Sequence, residues 1–399
     1  MDLDFQPSPS EEHPGLLIRD TYRFSDTTLI IPHYLLRLLK FFDGGHTRGQ
    51  LFDEIRRSAG TDAALKLEAH LRETLDGAGF LDGERHRANR ESVMESFRRS
   101  SLRNAAHAGA AYPATREEIR AYFDGNLAAH RAESDLDRNH VLAVAAPHIS
   151  FEGGWQSYAA MLPALRHAAP DSLFVVMGTS HYGDVDRFGL TAKAFETPLG
   201  VTRPEPELVA ELASVSPEVT ILEDYCHAID HSLEFHVLLL QHLVRPDVRV
   251  LPILVGGFCD SLQSGSRPEE SEEMSRLFAA LREIAANRGT EIFWLLSVDM
   301  AHMGKRYGDR FEVTASQGKM LEIEEADRAR VAMLGRSDSA KFWDHVAAHD
   351  AEMKWCGSST LYSFTQVYPE ARAQLLSYQQ WNIDPTSVVS FGTLAFHRD

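Results

Sequence analysis

The chain has 399 residues, 44% of them hydrophobic, enough to bury a large core and to divide into two domains. A balance of 40 basic against 58 acidic residues leaves a formal charge of −18, which repels phosphate backbones and anionic surfaces and sets nucleic acid and membrane aside as partners. No run approaches the roughly 20 apolar residues of a membrane span, the opening Met1-Asp2-Leu3-Asp4 is not that of a signal peptide, and three cysteines (Cys226, Cys259, Cys356) are too few for a disulfide framework, so the expected compartment is the cytoplasm.

Residues 1–83 read as a small helical domain. A short apolar start at Leu16-Leu17-Ile18 is followed by helical patterns at Tyr34–Phe42, Arg48–Ser58 and Ala64–Leu75, with an Asp43-Gly44-Gly45 stop between the first two. The closing LRETLDGAGFLDGER predicts a helix ended by glycine and then a short strand, the order of a winged-helix wing. The apolar helix with its Asp-Gly stop and the terminal Gly-Phe-Leu resemble PqqD-like peptide-recognition domains, and that resemblance implies a peptide ligand. A strongly polar, basic seam at Arg85–Asn104 places a linker over 84–104.

From residue 105 to 399 the pattern alternates. Buried-strand runs fall at Val141–Ala146, Leu173–Met177, Val248–Val255, Glu291–Val298 and Val388–Phe396. Amphipathic helices are expected at Arg116–His130, Trp155–His167, Glu207–Ser214, His231–Leu243, Glu270–Asn287 and Glu324–Leu334. Such alternation predicts an α/β fold, a central mostly parallel sheet flanked by helices on both faces.

Polar punctuation locates the chemistry. The runs VLAVAA, LFVVMGTS and EIFWLLSV lead into Pro147-His148, His181 and Asp299-Met300-Ala301-His302, and loops beyond the carboxyl ends of strands converge on one crevice in open α/β sheets. His148 and His181 stand in small-residue turns where a bulky imidazole has no packing purpose. Asp299 with His302 is suited to holding a ligand, moving a proton or orienting a ligating imidazole. The cluster Asp230–His236 opens an apolar helix and sets His231 and Glu234 three apart, on one face. Cys356 precedes a helix-like Thr360–Val367, where free amides favour a thiolate, whereas Cys226 and Cys259 read as small buried hydrophobes.

Five motifs stand in the order of one family: Ala146-Pro147-His148 with Gly153-Gly154, Gly178-Thr179-Ser180-His181, Asp230–His236, Asp299-Met300-Ala301-His302-Met303-Gly304, and Cys356-Gly357, preceded by Ala106-His107-Ala108-Gly109 and Tyr112-Pro113. They resemble the Memo family, the AmmeMemoRadiSam system protein B group, over residue 105 to the C-terminus. The resemblance implies a fold like that of class III extradiol dioxygenases, metal ligands at His148, His181 and Cys356, and association with the system's protein A and a radical SAM protein. Two departures are Tyr182, where the family often has a second histidine, and APHISFEGG in place of an APHAGY-like run.

Two imidazoles and a thiolate leave coordination positions open, as the two-histidine, one-carboxylate triad of non-haem iron oxygenases does, and suit iron(II) or copper; zinc also accepts the set. Three functions follow as expectations. One is a metal-dependent oxidoreductase acting on a small organic substrate, with Asp299 and His302 shuttling protons and His231 with Glu234 orienting substrate or ligand. The others are a binding scaffold for a peptide or radical SAM partner, and a zinc hydrolase with Glu234 as base.

Overall fold

The computed structural model describes residues 3–8, 10–130, 136 and 141–398. Contacts divide the chain into two units, Met1–Arg99 and Ser100–Asp399. Each has its own apolar interior: Ile18, Leu38, Leu51, Ile55, Leu71 and Phe80 gather in the first, and the buried clusters of the second share none of them.

The first unit opens with an antiparallel sheet, β1 (Leu3–Pro7), β2 (Gly15–Asp20) and β3 (Thr28–Pro32). Helices α1 (Arg48–Ala59) and α2 (Thr61–Gly77) follow, the former opened by a capping box between Thr47 and Gln50. The expected wing strand is a turn: Gly79 takes φ 75°, the Phe80 amide donates to the Leu75 carbonyl at 2.8 Å, and Phe80 is buried. The stretch read as a linker carries a helix, α3 (Glu84–Arg99), in which Phe97 alone is buried. Its polarity hid it, since a helix that meets solvent nearly all round is held by pairs such as Arg99–Glu95 at 2.7 Å rather than by an apolar stripe.

The second unit is a ten-stranded mixed sheet between helices. Its strands are β4 (Val141–Ala146), β5 (Leu173–Thr179), β6 (Phe188–Leu190), β7 (Thr220–Leu222), β8 (Arg249–Val255), β9 (Ile292–Ser297), β10 (His302–Gly304), β11 (Arg372–Asp384) and β12 (Ser387–His397), with Arg203–Pro204 pairing on β8. The order is β7-β6-β8-β5-β9-β4-β12-β10, with β11 beside β12. The four central strands β8, β5, β9 and β4 run parallel, and they are buried nearly throughout because helices cover both faces. Antiparallel β6 and β12 flank them.

The helices are α4 (Arg116–Ala129), α5 (Phe151–Ala160), α6 (Pro206–Val215), α7 (Ser232–Leu243), α8 (Glu272–Arg288), α9 (Lys319–Leu334), α10 (Ser339–Met353) and α11 (Ser358–Val367). Helix α5 begins four residues before the expected Trp155, and it carries the two glycines of the unusual APHISFEGG run. A Cβ on Gly153 would lie 2.4 Å from Trp381 Cδ2, so the missing side chain admits the indole of β11.

Because the two interiors are separate, a chain beginning at Ser100 should keep a cooperative thermal transition. Calorimetry of that truncation checks it, and loss of cooperativity would show that the second unit depends on the first.

Candidate metal site

Three parallel strands end at one level. Ser297 of β9 pairs with Ala146 of β4 and with Gly178 of β5, so the turns beyond them emerge side by side. His148 lies two residues past Ala146, His181 two past Thr179 and Asp299 two past Ser297. His231 joins them as the N-cap residue of α7.

Ligand atoms of His148, His181 and His231 lie within 4.8 Å of one another, so the three can hold one metal ion. The His181 and His231 rings stack at 4.8 Å between centroids, and His148 stands edge-on to both. Cys356 Sγ is 3.5 Å from His148 Nε2, and Asp299 Oδ2 approaches the same nitrogen at 3.5 Å.

Hydrogen bonds behind the rings decide which nitrogen faces the cluster. The Ser297 hydroxyl donates to the Ser232 carbonyl at 2.6 Å, so at 3.1 Å it accepts from His148 Nδ1–H and leaves the Nε2 lone pair toward Cys356. Asp230, buried at 2% exposure, accepts from the His181 amide at 2.8 Å and from His181 Nδ1 at 3.2 Å. A carboxylate behind a ligating imidazole fixes its tautomer and raises its basicity, which is the arrangement metal ligands need.

Burial and then the neighbouring imidazoles push His148 well below the ordinary histidine value, and the same causes bring His231 down to about 3. Both rings are neutral, the form that ligates. Burial also opposes charge on His181, but Asp230 and then Cys356 outweigh it and raise that ring. Burial pushes the Asp299 carboxyl up to about 7. It also raises the Cys356 thiol against the pull of His181, so the helix end does not make the expected thiolate on its own. Helix α11 starts at Ser358 with Gly357 as its cap, which leaves Cys356 one residue outside its dipole.

The other sequence-read residues take different positions. His302 Nδ1 meets the carbonyls of Met300 at 3.0 Å and Lys354 at 3.2 Å, bracing the turn that leads to Cys356. Glu234 is fully buried. Its oxygens receive the Arg103 guanidinium, the Tyr112 hydroxyl, and the amides of Ala106 and His107 at 2.9 Å each. Burial alone would raise that carboxyl, yet Arg103 and His107 hold it below its usual range. Glu234 is thus an anchor for the Arg103–Tyr112 segment rather than a group presented to substrate. Cys226 is buried in an apolar cluster, as expected, and Cys259 is half-buried. Sequence reasoning missed Asp230, Ser297 and Arg103 as parts of the site; Asp230 carried a signal, an acid at the mouth of a helix beside His231.

Fold and site together define an α/β protein with a histidine cluster at the carboxyl edge of a parallel sheet, able to hold a metal ion. A family model described as Memo-like protein matches residues 103–395, and the chain belongs to that family. A MEMO1 family protein of Aquifex aeolicus is 22% identical over 99% of this chain and 98% of its own length, so it too spans both units. A MEMO1 family protein of Nitrosopumilus maritimus is 23% identical over 74% of this chain and 99% of its own, and Protein MEMO1 of Xenopus laevis 22% over 62% and 78%. The crystal structure of an uncharacterized Escherichia coli K12 protein aligns with TM-score 0.39 and 14% identity, covering 63% of this chain and 98% of that one.

Removing one partner of a buried ion pair strands the other. Arg103→Ala should cost about 3–5 kcal/mol in urea unfolding, because Glu234 is left buried without its cation; a loss below about 1 kcal/mol would contradict the anchoring role.

Proposed function

We propose that the protein is a metal-dependent oxidoreductase holding one redox metal, iron(II) or copper, on His148, His181 and Cys356, with His231 as a further donor. The observation that carries this reading is the paired orientation of His148 and His181: each Nδ1 is engaged from behind, by Ser297 and Asp230, and the Cys356 thiol stands 3.5 Å from His148 Nε2. A mixed nitrogen and sulfur set with positions to spare suits iron or copper, and hard oxygen-seeking ions such as calcium and magnesium poorly. A metal held by these residues would supply redox chemistry, the activation of dioxygen toward a small organic substrate.

The chain's own residues do the rest. Asp299, 3.5 Å from His148 Nε2 and almost wholly excluded from water, is placed to hold or pass a proton at Oδ2. His302, tied to two carbonyls, keeps the Lys354–Cys356 turn in place and is a less direct proton carrier. His231 and the edge of His181 are partly exposed and mark the side from which a substrate enters. The zinc-hydrolase alternative needs Glu234 as base, and the ion pair with Arg103 withdraws it.

Elemental analysis of anaerobically purified protein tests the reading. Near-stoichiometric iron or copper is expected in the wild type, falling by about 10-fold or more in His148→Ala and Cys356→Ser. Full occupancy in both variants would sink the ligand assignment, and stoichiometric zinc in the wild type would sink the oxidoreductase reading.

One observation favours an added binding role for the first unit. A cavity of about 410 Å³ lies beside β1, lined by Leu3, Phe5, Ile18, Phe42, Leu75 and Phe80 among others, and Phe5 is half exposed. β1 is the edge of its sheet, and an extended peptide adds to such an edge while apolar pockets take alternate side chains. The partners proposed are a peptide or a radical SAM protein, with the AmmeMemoRadiSam protein A as a further associate. Phe5→Asp in the full-length protein should weaken binding of a purified radical SAM partner by about 10-fold or more in calorimetric titration, with the metal content unchanged. Wild-type affinity in that variant would remove the cavity from the interface.

A further inference from the structure

Cys356 is the sulfur donor of the site, and its position rests on the residue before it. Helix α10 ends at Lys354, whose backbone is left-handed (φ 49°, ψ 51°), so the chain reverses just ahead of Trp355 and Cys356. Past the thiol, the Gly357 amide donates to the Asp299 carbonyl at 3.1 Å, and a Cβ at Gly357 would stand 2.4 Å from Val298 Cβ. The turn is therefore pressed against the Asp299 loop, and something must fix its rotation.

Trp355 does so. Its Nε1–H donates to Asp327 Oδ1 at 2.6 Å, while the Arg330 guanidinium lies over the indole 5.2 Å from the ring centroid. Both partners come from α9 and are fully buried. Asp327 Oδ2 receives two more donors, Tyr378 OH of β11 at 2.8 Å and Ser390 Oγ of β12 at 2.6 Å. Ser390 in turn grips the other catalytic turn: its Oγ accepts from the Ala301 amide at 2.9 Å, its amide donates to the Ala301 carbonyl at 2.9 Å, and its carbonyl accepts from Met300 at 2.9 Å. One carboxylate thus ties the loop that carries Cys356 to the loop that carries Asp299.

We propose that Asp327 is a positioning residue for the metal site, whose bonds to Trp355 and Ser390 set the Cys356 thiol against His148. The inference rests on the metal-site reading above. Asp327 touches no donor atom; it acts through Trp355, as an outer partner that orients a ligand. A buried carboxylate is costly without partners, and here neutral donors from three separate segments converge on it, so none of those segments moves without leaving a buried polar group unpaired. The role is also specific in chemistry. An amide at the same place can accept the Trp355 N–H through its oxygen and donate its N–H groups to the Tyr378 and Ser390 hydroxyls, which can turn to receive them.

Full-length protein loaded with cobalt(II) provides the test, because a sulfur-to-cobalt charge-transfer band reports thiolate ligation apart from activity and apart from the histidines. The wild type should show the band and Cys356→Ser should lose it. Trp355→Phe and Asp327→Ala should lose most of it and bind cobalt about 10–100-fold more weakly, with a cooperative melt and the histidine-dependent visible bands retained, while Asp327→Asn restores the sulfur band. If Asp327→Ala does not fold, Trp355→Phe decides, since it removes the anchoring N–H while keeping a smaller aromatic ring in the same place. A wild-type sulfur band and affinity in folded Trp355→Phe would overturn the positioning role while leaving the metal site standing. No cobalt bound by the wild type would overturn the metal reading and this inference with it.

Discussion

The level pairing of β9 between β4 and β5 is the constraint on which the site depends. Ser297 lies across from Ala146 on one side and Gly178 on the other, so turns separated by long stretches of chain open at the same height. Strands rise about 3.3 Å per residue and alternate faces, so a slip of one position would move a turn by that distance and turn its strand inside out. Register is enforced by burial on both faces: every residue of β5 and β9 is buried, and none can exchange for a polar neighbour without cost. Packing thereby delivers His148, His181 and Asp299 to one place.

Buried carboxylates then refine what packing has brought together. Asp230 and Glu234, four residues apart at the start of α7, each bind backbone amides as well as a side chain. Asp230 holds the His181 amide and ring together with the Ser232 amide; Glu234 holds Arg103 and the amides of Ala106 and His107. A carboxylate removed from water requires such partners, and the same requirement makes it a rigid clamp. The imidazoles are therefore held by groups outside their cluster, and His148 and His231 stay neutral in a chain of net charge −18 because burial and the neighbouring rings oppose their charge, while Asp230 favours it on His181.

The sheet and the first residues of the cluster were legible in the sequence for the same physical reason. A fully buried strand reads as an unbroken apolar run, and a polar residue just beyond it stands out, which is why His148, His181 and Asp299 were legible together. Ser297 and Arg103 were not, nor was the bond of Asp230 to His181, because the contacts that tie them to the cluster run to residues 49 or more positions away. Glu234 shows the same limit: its spacing from His231 is visible in the chain, and its ion pair with Arg103 is not. Strand β11 escaped because its residues are all partly exposed at a sheet edge and mix Leu375, Tyr378 and Trp381 with glutamines that bond to neighbouring segments. Helix α3 escaped for the opposite reason, since a helix with a single buried residue leaves no apolar period to read.

The proposal of a soft, redox-active ion rather than a purely structural one draws on two features of the site. A structural ion is normally closed off by four tight ligands, whereas here His181 and His231 keep roughly a quarter of their side-chain surface open. The thiol, moreover, lies where burial disfavours its charged form, and a cation held beside it would compensate that charge. On the proposed ligand set, an ion bound there would offset the charge of a Cys356 thiolate and complete the donors alongside the imidazoles. An ion that polarises sulfur strongly would gain most from such a donor set, and on that chemistry iron and copper are proposed ahead of magnesium or calcium.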